Sequence, residues 1–189
     1  MTFAVLVVCV GNVCRSPLAE RLLQFRLDEL LGASRDHVQV TSAGVLALAG
    51  SGMDPSAAEE LQRLGGTSEG FAAQQFTAQQ VEGADLVLTM TKELRSRVLE
   101  EAPSALRRTF TLTEFAELVE KQTADSPRAL VADAALRRSS ALLDDYDVAD
   151  PIGGSAELHA EVADVIDDAV RRVADALAES IGSATLRSR

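Results

Sequence analysis

Short apolar runs alternate along this chain with segments that have helical spacing. Four of the runs lack strict alternation of apolar and polar residues, which is typical of strands covered on both faces. They are residues 5–8, 38–41, 86–89 and 109–112. Because helical patterns separate them, the order of elements predicts an α/β fold. We expect a single-domain, doubly wound sheet of about four parallel strands with helices on both faces.

Three helices can be bounded from the sequence. Asp54 and Pro55 supply an N-cap and a first-turn proline for a helix that Gly65 ends. A second helix is predicted over residues 92–101. The third is C-terminal and carries one apolar stripe, formed by Leu158, Val162, Ile166, Val170, Val173, Leu177 and Ile181.

Residues 120–145 fit this alternation least well. They contain a Ser-Pro pair, a Ser-Ser pair and two short apolar groups, which indicates a helical insertion or a mobile excursion. The chain of 189 residues is 47% hydrophobic, so we expect residues 1–189 to form one domain around a sizeable core.

Net charge narrows the classes of partner. The formal charge of −11 argues against a general affinity for nucleic acid or for an anionic membrane. The first apolar run is too short to cross a bilayer and has no cationic segment before it, so we expect neither a membrane helix nor a signal peptide. We therefore expect a cytoplasmic protein in which any anion-binding site is a small local feature of the surface.

The chain has only two cysteines, Cys9 and Cys14. They lie too close in sequence to staple a fold, which indicates reactive thiols in a reducing compartment. The two histidines, His37 and His159, are far apart in sequence, so a zinc site has too few ligands. We expect no metal.

The segment CVGNVCRSP follows the first predicted strand, where ligands collect in a parallel sheet. Gly11 and Asn12 tolerate positive φ angles, which lets successive amides turn inward. Ser16 is predicted to cap the next helix, with Pro17 at its first position. We call residues 9–15 the anion loop, because its amides and the helix dipole suit a tetrahedral phosphate.

Arg15 and Cys9 give this loop a chemistry. The planar guanidinium of Arg15 can bind two phosphate oxygens. A helix N-terminus and a nearby arginine stabilise a thiolate, which is the nucleophilic form of cysteine. Cys-x₅-Arg alone is a weak signal, but the preceding strand, the Gly-Asn pair and the Ser-Pro pair make it specific. Cys9 is therefore predicted to attack phosphorus.

CVGNVCRSP resembles the phosphate-binding loop of the low-molecular-weight protein-tyrosine-phosphatase family. The similarity continues through TSAG at 41–44, DLVLTMT at 85–91 and DPIGGS at 150–155. The resemblance implies a phosphomonoester hydrolase that acts on phosphotyrosine in protein substrates and needs no cofactor.

The resemblance also implies roles for individual residues. Cys9 would be the nucleophile and would form a phosphocysteine. The phosphate would be held by Val10, Gly11, Asn12, Val13, Cys14 and Arg15. Asn12 and Ser42 would support the loop, and the Ser16 hydroxyl would stabilise the thiolate. From the residues alone, Ser42 is equally well a polar residue that ends a strand.

Expelling the leaving group requires a proton donor from elsewhere in the chain. Asp150 is the candidate, because the following proline restricts it to an extended conformation. It resembles the aspartate of the family's Asp-Pro loop, which later activates water. The alternative is a simple turn before a helix, as Asp54 and Pro55 predict earlier in the chain.

Cys14 has two interpretations. Relatives with this second cysteine form a reversible disulfide that protects the nucleophile from irreversible oxidation, which would make the enzyme redox-sensitive. The alternative is a small apolar residue that fills the loop.

The substrate pocket departs from the family's pattern. Aromatic residues that many tyrosine-specific members place around the phenyl ring are missing here. An aryl ring would pack instead on Leu46, Leu48 and Ile152, beside Val13, or on Tyr146 at the entrance.

Other functions remain to be compared. DPIGGS also resembles the DPFGGS of protein-arginine phosphatases, but those carry threonine at the position of Val13, so Val13 favours phosphotyrosine. An arsenate reductase that passes its oxidised state between its own thiols would need cysteines beyond the loop, and this chain has none. A catalytically inactive phosphate-binding module is disfavoured by the joint presence of Cys9, Arg15 and Asp150.

Overall fold

The structure, a computed structural model, describes residues 2–140 and 146–187. Its strands are β1 (Phe3–Cys9), β2 (Val38–Gly44), β3 (Leu86–Thr89) and β4 (Thr109–Thr111). Its α-helices are α1 (Arg15–Leu31), α2 (Pro55–Arg63), α3 (Ala78–Gly83), α4 (Lys92–Glu101), α5 (Leu112–Val119), α6 (Pro127–Arg137) and α7 (Ala156–Arg187). Short 3-10 turns lie at Gly32–His37, Pro103–Arg108 and Arg138–Ser140.

The four strands form one parallel sheet in the order β2-β1-β3-β4. The predicted fold class and all four predicted strands are therefore confirmed. The fourth strand was predicted one residue too long, because Thr111 caps α5 at that point. The Thr111 hydroxyl accepts the amide of Glu114, and the Glu114 carboxylate accepts the amide of Thr111.

Side chains of β1 alternate between two apolar cores, one on each face of the sheet. Val5, Val7 and Cys9 point to the core that also contains residues of α1, α5 and α7. Leu6 and Val8 point to the opposite core, under α3 and α4. Since all five are buried, helices cover both faces, as the continuous apolar run predicted.

The long helix α7 confirms the predicted C-terminal stripe. Val162, Ile166, Val170, Val173, Leu177 and Ile181 are buried, and Leu158 is half-buried. This stripe packs against α1, α2 and α5. Because α7 begins directly after residues 150–155, its packing on α1 holds that segment close to the start of α1.

Part of the segment 120–145 is helical. Ser126 accepts the amide of Ala129 and so caps α6. Leu130 and Ala134 are fully buried, and α6 packs against α5 and α7. Residues 141–145 of the predicted insertion lie outside the described residues.

Gly44 marks the place where β2 meets the anion loop. A Cβ atom at this position would lie 2.5 Å from the Val10 carbonyl oxygen and 2.8 Å from the Asn12 amide nitrogen. Such contacts with backbone atoms cannot be relieved by moving a side chain, so only glycine fits. The carboxyl ends of β1 and β2 can therefore touch, and the following loops gather at one edge of the sheet.

Within residues 2–140 and 146–187, none of the helices combines the length and the apolar character needed to cross a membrane.

Candidate active site

The anion loop joins the end of β1 to the start of α1, at the carboxyl edge of the sheet. Asn12 has a φ of 53°, in the left-handed region, as predicted. The same prediction for Gly11 is wrong, since its φ is not positive. One left-handed residue is enough to reverse the chain here because the Asn12 side chain holds the turn through its own hydrogen bonds.

The Asn12 side chain is fully buried and binds three partners. Its Nδ2 donates to Ser16 Oγ at 2.9 Å and to Ser42 Oγ at 2.8 Å. Its Oδ1 accepts the backbone amide of Gln74 at 2.7 Å. The predicted supporting residues Asn12, Ser16 and Ser42 thus lie together, joining the loop to α1, to β2 and to the segment before α3.

The Cys9 sulfur, at the end of β1, accepts two hydrogen bonds. One comes from the Asn12 amide at 3.2 Å and one from the Ser16 hydroxyl at 2.9 Å. Both donors stabilise negative charge on sulfur. The predicted capping role of Ser16 is wrong, because α1 already begins at Arg15 and the Ser16 hydroxyl is directed to the sulfur. Pro17 accordingly lies at the third helical position.

Glu20 ends the chain of hydrogen bonds that begins at Cys9. Its Oε2 accepts the Ser42 hydroxyl at 2.5 Å, and the carboxyl is largely buried. Burial raises the pKa of Glu20, while the hydrogen bond from Ser42 opposes this shift. Sequence reasoning missed Glu20. The available signal was an acidic residue one helical turn after Ser16, on the side of α1 that faces the sheet.

Arg15 is buried and lies between the loop and the segment that precedes α7. Its Nη1 donates to the carbonyl oxygen of Val148 at 2.9 Å, and its Nη2 lies 2.5 Å from Asp150 Oδ2. The Asp150 side chain is 49% exposed, and its Oδ1 accepts the amide of Ile152. The structure therefore brings together Cys9, Arg15 and Asp150, which are distant in sequence.

Cys14 is buried at the start of α1. Burial is the main cause that raises its pKa to about 12, and the negative charges of Asp54, Cys9 and Asp150 add to the shift. The Cys14 side chain is consequently a neutral thiol near pH 7, unlike the reactive thiol that the loop sequence predicts for Cys9.

A cavity of about 550 Å³ opens above the anion loop. Three chain segments form its walls. The lining residues are Cys9, Val10, Gly11, Val13, Cys14, Arg15, Leu46, Leu48, Ser51, Gly52, Met53, Asp54, Pro55, Asp150 and Ile152. Leu46, Leu48 and Ile152 are each more than half exposed, so they form an aliphatic rim. Of the described residues, none that lines this cavity is aromatic.

The predicted pocket residue Tyr146 does not line the cavity. It is buried, and its hydroxyl donates to a carboxylate oxygen of Glu117 at 3.0 Å. Its carbonyl accepts the hydroxyl of Thr113. The ring is thereby fixed against α5, away from the aliphatic rim.

Sequence reasoning also missed the wall formed by residues 51–55. Asp54 was identified only as a helix cap, and its carboxylate does accept the Ala57 amide at the start of α2. Its own amide donates to the Val13 carbonyl at 2.7 Å, which attaches this wall to the anion loop. That backbone contact has no signature in the side chains.

No group of three or more histidine, cysteine or acidic side chains that could hold a metal ion occurs in the part of the chain that the structure describes.

Comparison with known proteins gives the chain a family. The profile described as "Low molecular weight phosphotyrosine protein phosphatase" matches residues 4–134. The phosphatase Wzb of Escherichia coli strain K12, named as a low molecular weight protein-tyrosine-phosphatase, is 44% identical over 99 residues. That match covers 52% of this chain and only 62% of Wzb.

Two further similarities cover nearly the whole chain. A protein-arginine-phosphatase of Geobacillus stearothermophilus is 30% identical over 177 residues, which cover 94% of this chain and 97% of that protein. The crystal structure of the tyrosine phosphatase amsI of Erwinia amylovora is 26% identical, with a TM-score of 0.70 and 94% of each chain covered. The chain therefore belongs to the low molecular weight phosphotyrosine protein phosphatase family.

Proposed function

We propose that this protein is a cysteine-dependent phosphatase that hydrolyses phosphotyrosine in proteins through a phosphocysteine intermediate. The observation that carries the proposal is the Cys9 sulfur, which accepts hydrogen bonds from the Asn12 amide and the Ser16 hydroxyl. The sulfur lies in the floor of a cavity that Arg15 and Asp150 also line. A stabilised thiolate, a bidentate cation and a half-exposed carboxylic acid are the three groups that this chemistry needs.

In the first step the Cys9 thiolate attacks phosphorus. The S–P bond forms while the bond from phosphorus to the tyrosine oxygen breaks, and Asp150 gives its proton to that oxygen. The loop amides and the Arg15 guanidinium bind the three phosphoryl oxygens, on which negative charge develops in the transition state. The product is phosphocysteine and a neutral tyrosine.

In the second step water replaces Cys9 at phosphorus. The Asp150 carboxylate takes a proton from this water, whose oxygen bonds to phosphorus as the S–P bond breaks. Inorganic phosphate leaves, and the Cys9 thiolate and protonated Asp150 are restored. The exposure of Asp150 supports this role, because the carboxylate is accessible both to a leaving group and to water.

The contact between Arg15 and Asp150 has a place in this cycle. A phosphate bound by Arg15 competes with Asp150 for the same guanidinium nitrogen. Substrate binding would then transfer Arg15 to the phosphate and release the carboxyl for proton transfer.

Phosphotyrosine is the proposed substrate because the cavity offers apolar contacts. Val13 lines the cavity together with Cys9, and Leu46, Leu48 and Ile152 form the rim. Together they provide the aliphatic surface that a phenyl ring requires.

Phosphoarginine is the second candidate. One observation favours it, the similarity to a protein-arginine-phosphatase along almost the whole chain. Val13 argues against it, because a valine side chain has no group that can bond to a guanidinium.

Cys14 is proposed to protect Cys9 from oxidation. Peroxide would oxidise Cys9 to a sulfenic acid, and the Cys14 thiolate would attack that sulfur, forming a disulfide and displacing hydroxide, which takes a proton from solvent to leave as water. Two thiols used in this way fit a reducing compartment such as the cytoplasm. The raised pKa of Cys14 makes the disulfide-forming step slow at neutral pH, since only the thiolate attacks.

The first prediction tests the nucleophile. Cys9→Ser should lower turnover of p-nitrophenyl phosphate by about 10⁴-fold or more, the order of loss seen when a nucleophile is removed from a comparable covalent mechanism. Phosphate should still bind, measured by calorimetry, because Arg15 and the loop amides remain. Cys14→Ser is the matched control and should retain turnover. Ordinary activity in Cys9→Ser would end the proposed mechanism.

The second prediction concerns Asp150. Asp150→Ala should slow phenyl phosphate by about 10²- to 10⁴-fold, the usual contribution of a general acid, and should slow p-nitrophenyl phosphate much less. The reason is that p-nitrophenolate leaves without being protonated. Steady-state kcat on the two substrates measures the difference. Equal losses on both would assign proton donation to another group.

The third prediction tests the substrate through Val13. Val13→Thr keeps the volume and adds one hydroxyl, which can hydrogen-bond to a phosphoguanidinium. The ratio of kcat/KM for phosphoarginine to that for phosphotyrosine should rise by roughly two- to tenfold, the value of one net hydrogen bond. A wild-type preference for phosphoarginine, or an unchanged ratio in the variant, would remove the main support for phosphotyrosine.

The fourth prediction concerns pH and oxidation. The Cys14 thiolate fraction rises about tenfold per pH unit below its pKa of about 12, so capture of oxidised Cys9 should accelerate with pH. After peroxide treatment, dithiothreitol should restore wild type more fully than Cys14→Ser, and the difference should be larger at pH 8.5 than at pH 6.5. Equal recovery of both proteins at both pH values would leave Cys14 with a packing role only.

A further inference from the structure

Asp54 has a fixed position in the wall of the active-site cavity. Its backbone amide donates to the Val13 carbonyl at 2.7 Å, and its Oδ1 accepts the Ala57 amide at 3.1 Å. The first bond attaches Asp54 to the anion loop and the second caps α2. The backbone of Asp54 is therefore held against Val13, and its carboxylate is fixed at the start of α2 in the wall of the same cavity.

Besides the two cysteines, the acidic and basic side chains that line the cavity among the described residues are Arg15, Asp54 and Asp150. Arg15 pairs with Asp150 and also donates to the Val148 carbonyl. Asp54 makes no ion pair with any residue that the structure describes, and its side chain is only half-buried. The wall therefore carries one carboxylate that no cation of the described chain neutralises.

The negative charge of Asp54 reaches the anion loop. After burial, it is the largest cause of the raised pKa of Cys14, ahead of Cys9 and Asp150. Its effect on a phosphate dianion is repulsive. A positively charged group close to the substrate's phosphoryl group would instead be attracted to the Asp54 carboxylate and would offset this repulsion.

Resting on the phosphatase function proposed above, we propose that Asp54 is a specificity-determining residue whose carboxylate binds a cationic group next to the substrate's phosphoryl group. This cation is the side chain of an arginine or lysine that flanks phosphotyrosine, or the guanidinium of phosphoarginine itself. Both present an N–H donor with positive charge, which suits a carboxylate oxygen.

The apolar part of the wall fits the same ligand. Met53 lies directly beside Asp54, and Leu46 and Leu48 form the exposed rim. Arginine and lysine carry several methylene groups before their charged end. Their stems can cover this aliphatic surface while the charged end reaches Asp54.

The decisive variant is Asp54→Asn. Asparagine caps helices as well as aspartate does, so the bond to the Ala57 amide and the start of α2 are retained while the charge is lost. Glu59→Gln is the matched control, because Glu59 is exposed on the same helix and does not line the cavity. Equal melting temperatures would verify that both variants are folded.

The substrates are phosphotyrosine peptides that differ in one flanking residue, which is arginine, glutamine or glutamate, and one phosphoarginine peptide. In wild type, kcat/KM should decrease in the order arginine, glutamine, glutamate. Asp54→Asn should reduce the ratio of the arginine to the glutamine peptide about two- to fivefold, the value of a partly exposed ion pair. Glu59→Gln should keep the wild-type ratio. Using a ratio cancels any general change in turnover.

Three results would overturn the proposal. The first is that Asp54→Asn changes neither the ratio of kcat/KM for the arginine peptide to that for the glutamine peptide nor the turnover of phosphoarginine. Another is an equal fall of the ratio in Glu59→Gln, which would assign the preference to the overall charge of −11. The third is a wild-type preference for the glutamate peptide. A fall confined to phosphoarginine would support the proposal and identify the guanidinium as the cation.

A direct binding measurement separates this proposal from the proposed function. The affinities of Cys9→Ser and of Cys9→Ser with Asp54→Asn for the same phosphopeptides require no turnover. If wild type hydrolyses none of the phosphotyrosine peptides, the proposed function is wrong. Asp54 is then judged by whether the second change weakens binding of the peptides that carry a cation more than that of the glutamine peptide. Equal weakening, or none, would overturn the role of Asp54.

Discussion

The buried amide of Asn12 is the interaction on which the rest of the site depends. Its Nδ2 can only donate hydrogen bonds, so Ser16 Oγ and Ser42 Oγ must accept from it. The proton of Ser16 is therefore free to point at Cys9 Sγ, and the proton of Ser42 points at Glu20. One side chain thus sets the direction of both hydroxyls, those of Ser16 and Ser42, in this chain of hydrogen bonds. The same side chain holds the left-handed turn, because its Oδ1 accepts an amide from a different part of the chain.

The parallel sheet makes this arrangement geometrically possible. Cys9 and Gly44 are partners in the register of β1 and β2, so the two strands end at the same level. The missing Cβ of Gly44 lets the anion loop lie directly on the end of β2, within reach of Ser42. Packing of α7 on α1 then brings Asp150 to Arg15. The packing of apolar residues therefore brings together three polar segments that are distant in sequence, namely the anion loop, the end of β2 and residues 150–155.

The parts of the structure that follow from local patterns could be predicted from the sequence. The apolar runs gave the four strands, and the α7 stripe gave the C-terminal helix, because burial imposes its own period on the residues. The Ser-Pro pair led to a wrong prediction, that Ser16 caps α1, because this pair is typical of a helix start. In the structure the Ser16 hydroxyl instead accepts from Asn12 and donates to the Cys9 sulfur. The contacts of Gln74 and Asp54 were beyond reach because they use backbone amides, which every residue carries.

Asp54 and Asp150 show how position gives identical side chains different partners in one cavity. Each lines the same cavity as the anion loop, and each directly precedes a proline. Asp150 pairs with Arg15 and is therefore coupled to whatever anion Arg15 binds. Asp54 is held by the start of α2, which no substrate needs to displace. A carboxylate that exchanges its cation with the phosphate suits proton transfer, whereas one that stays anchored and negatively charged suits recognition of a second, positive group on the same substrate.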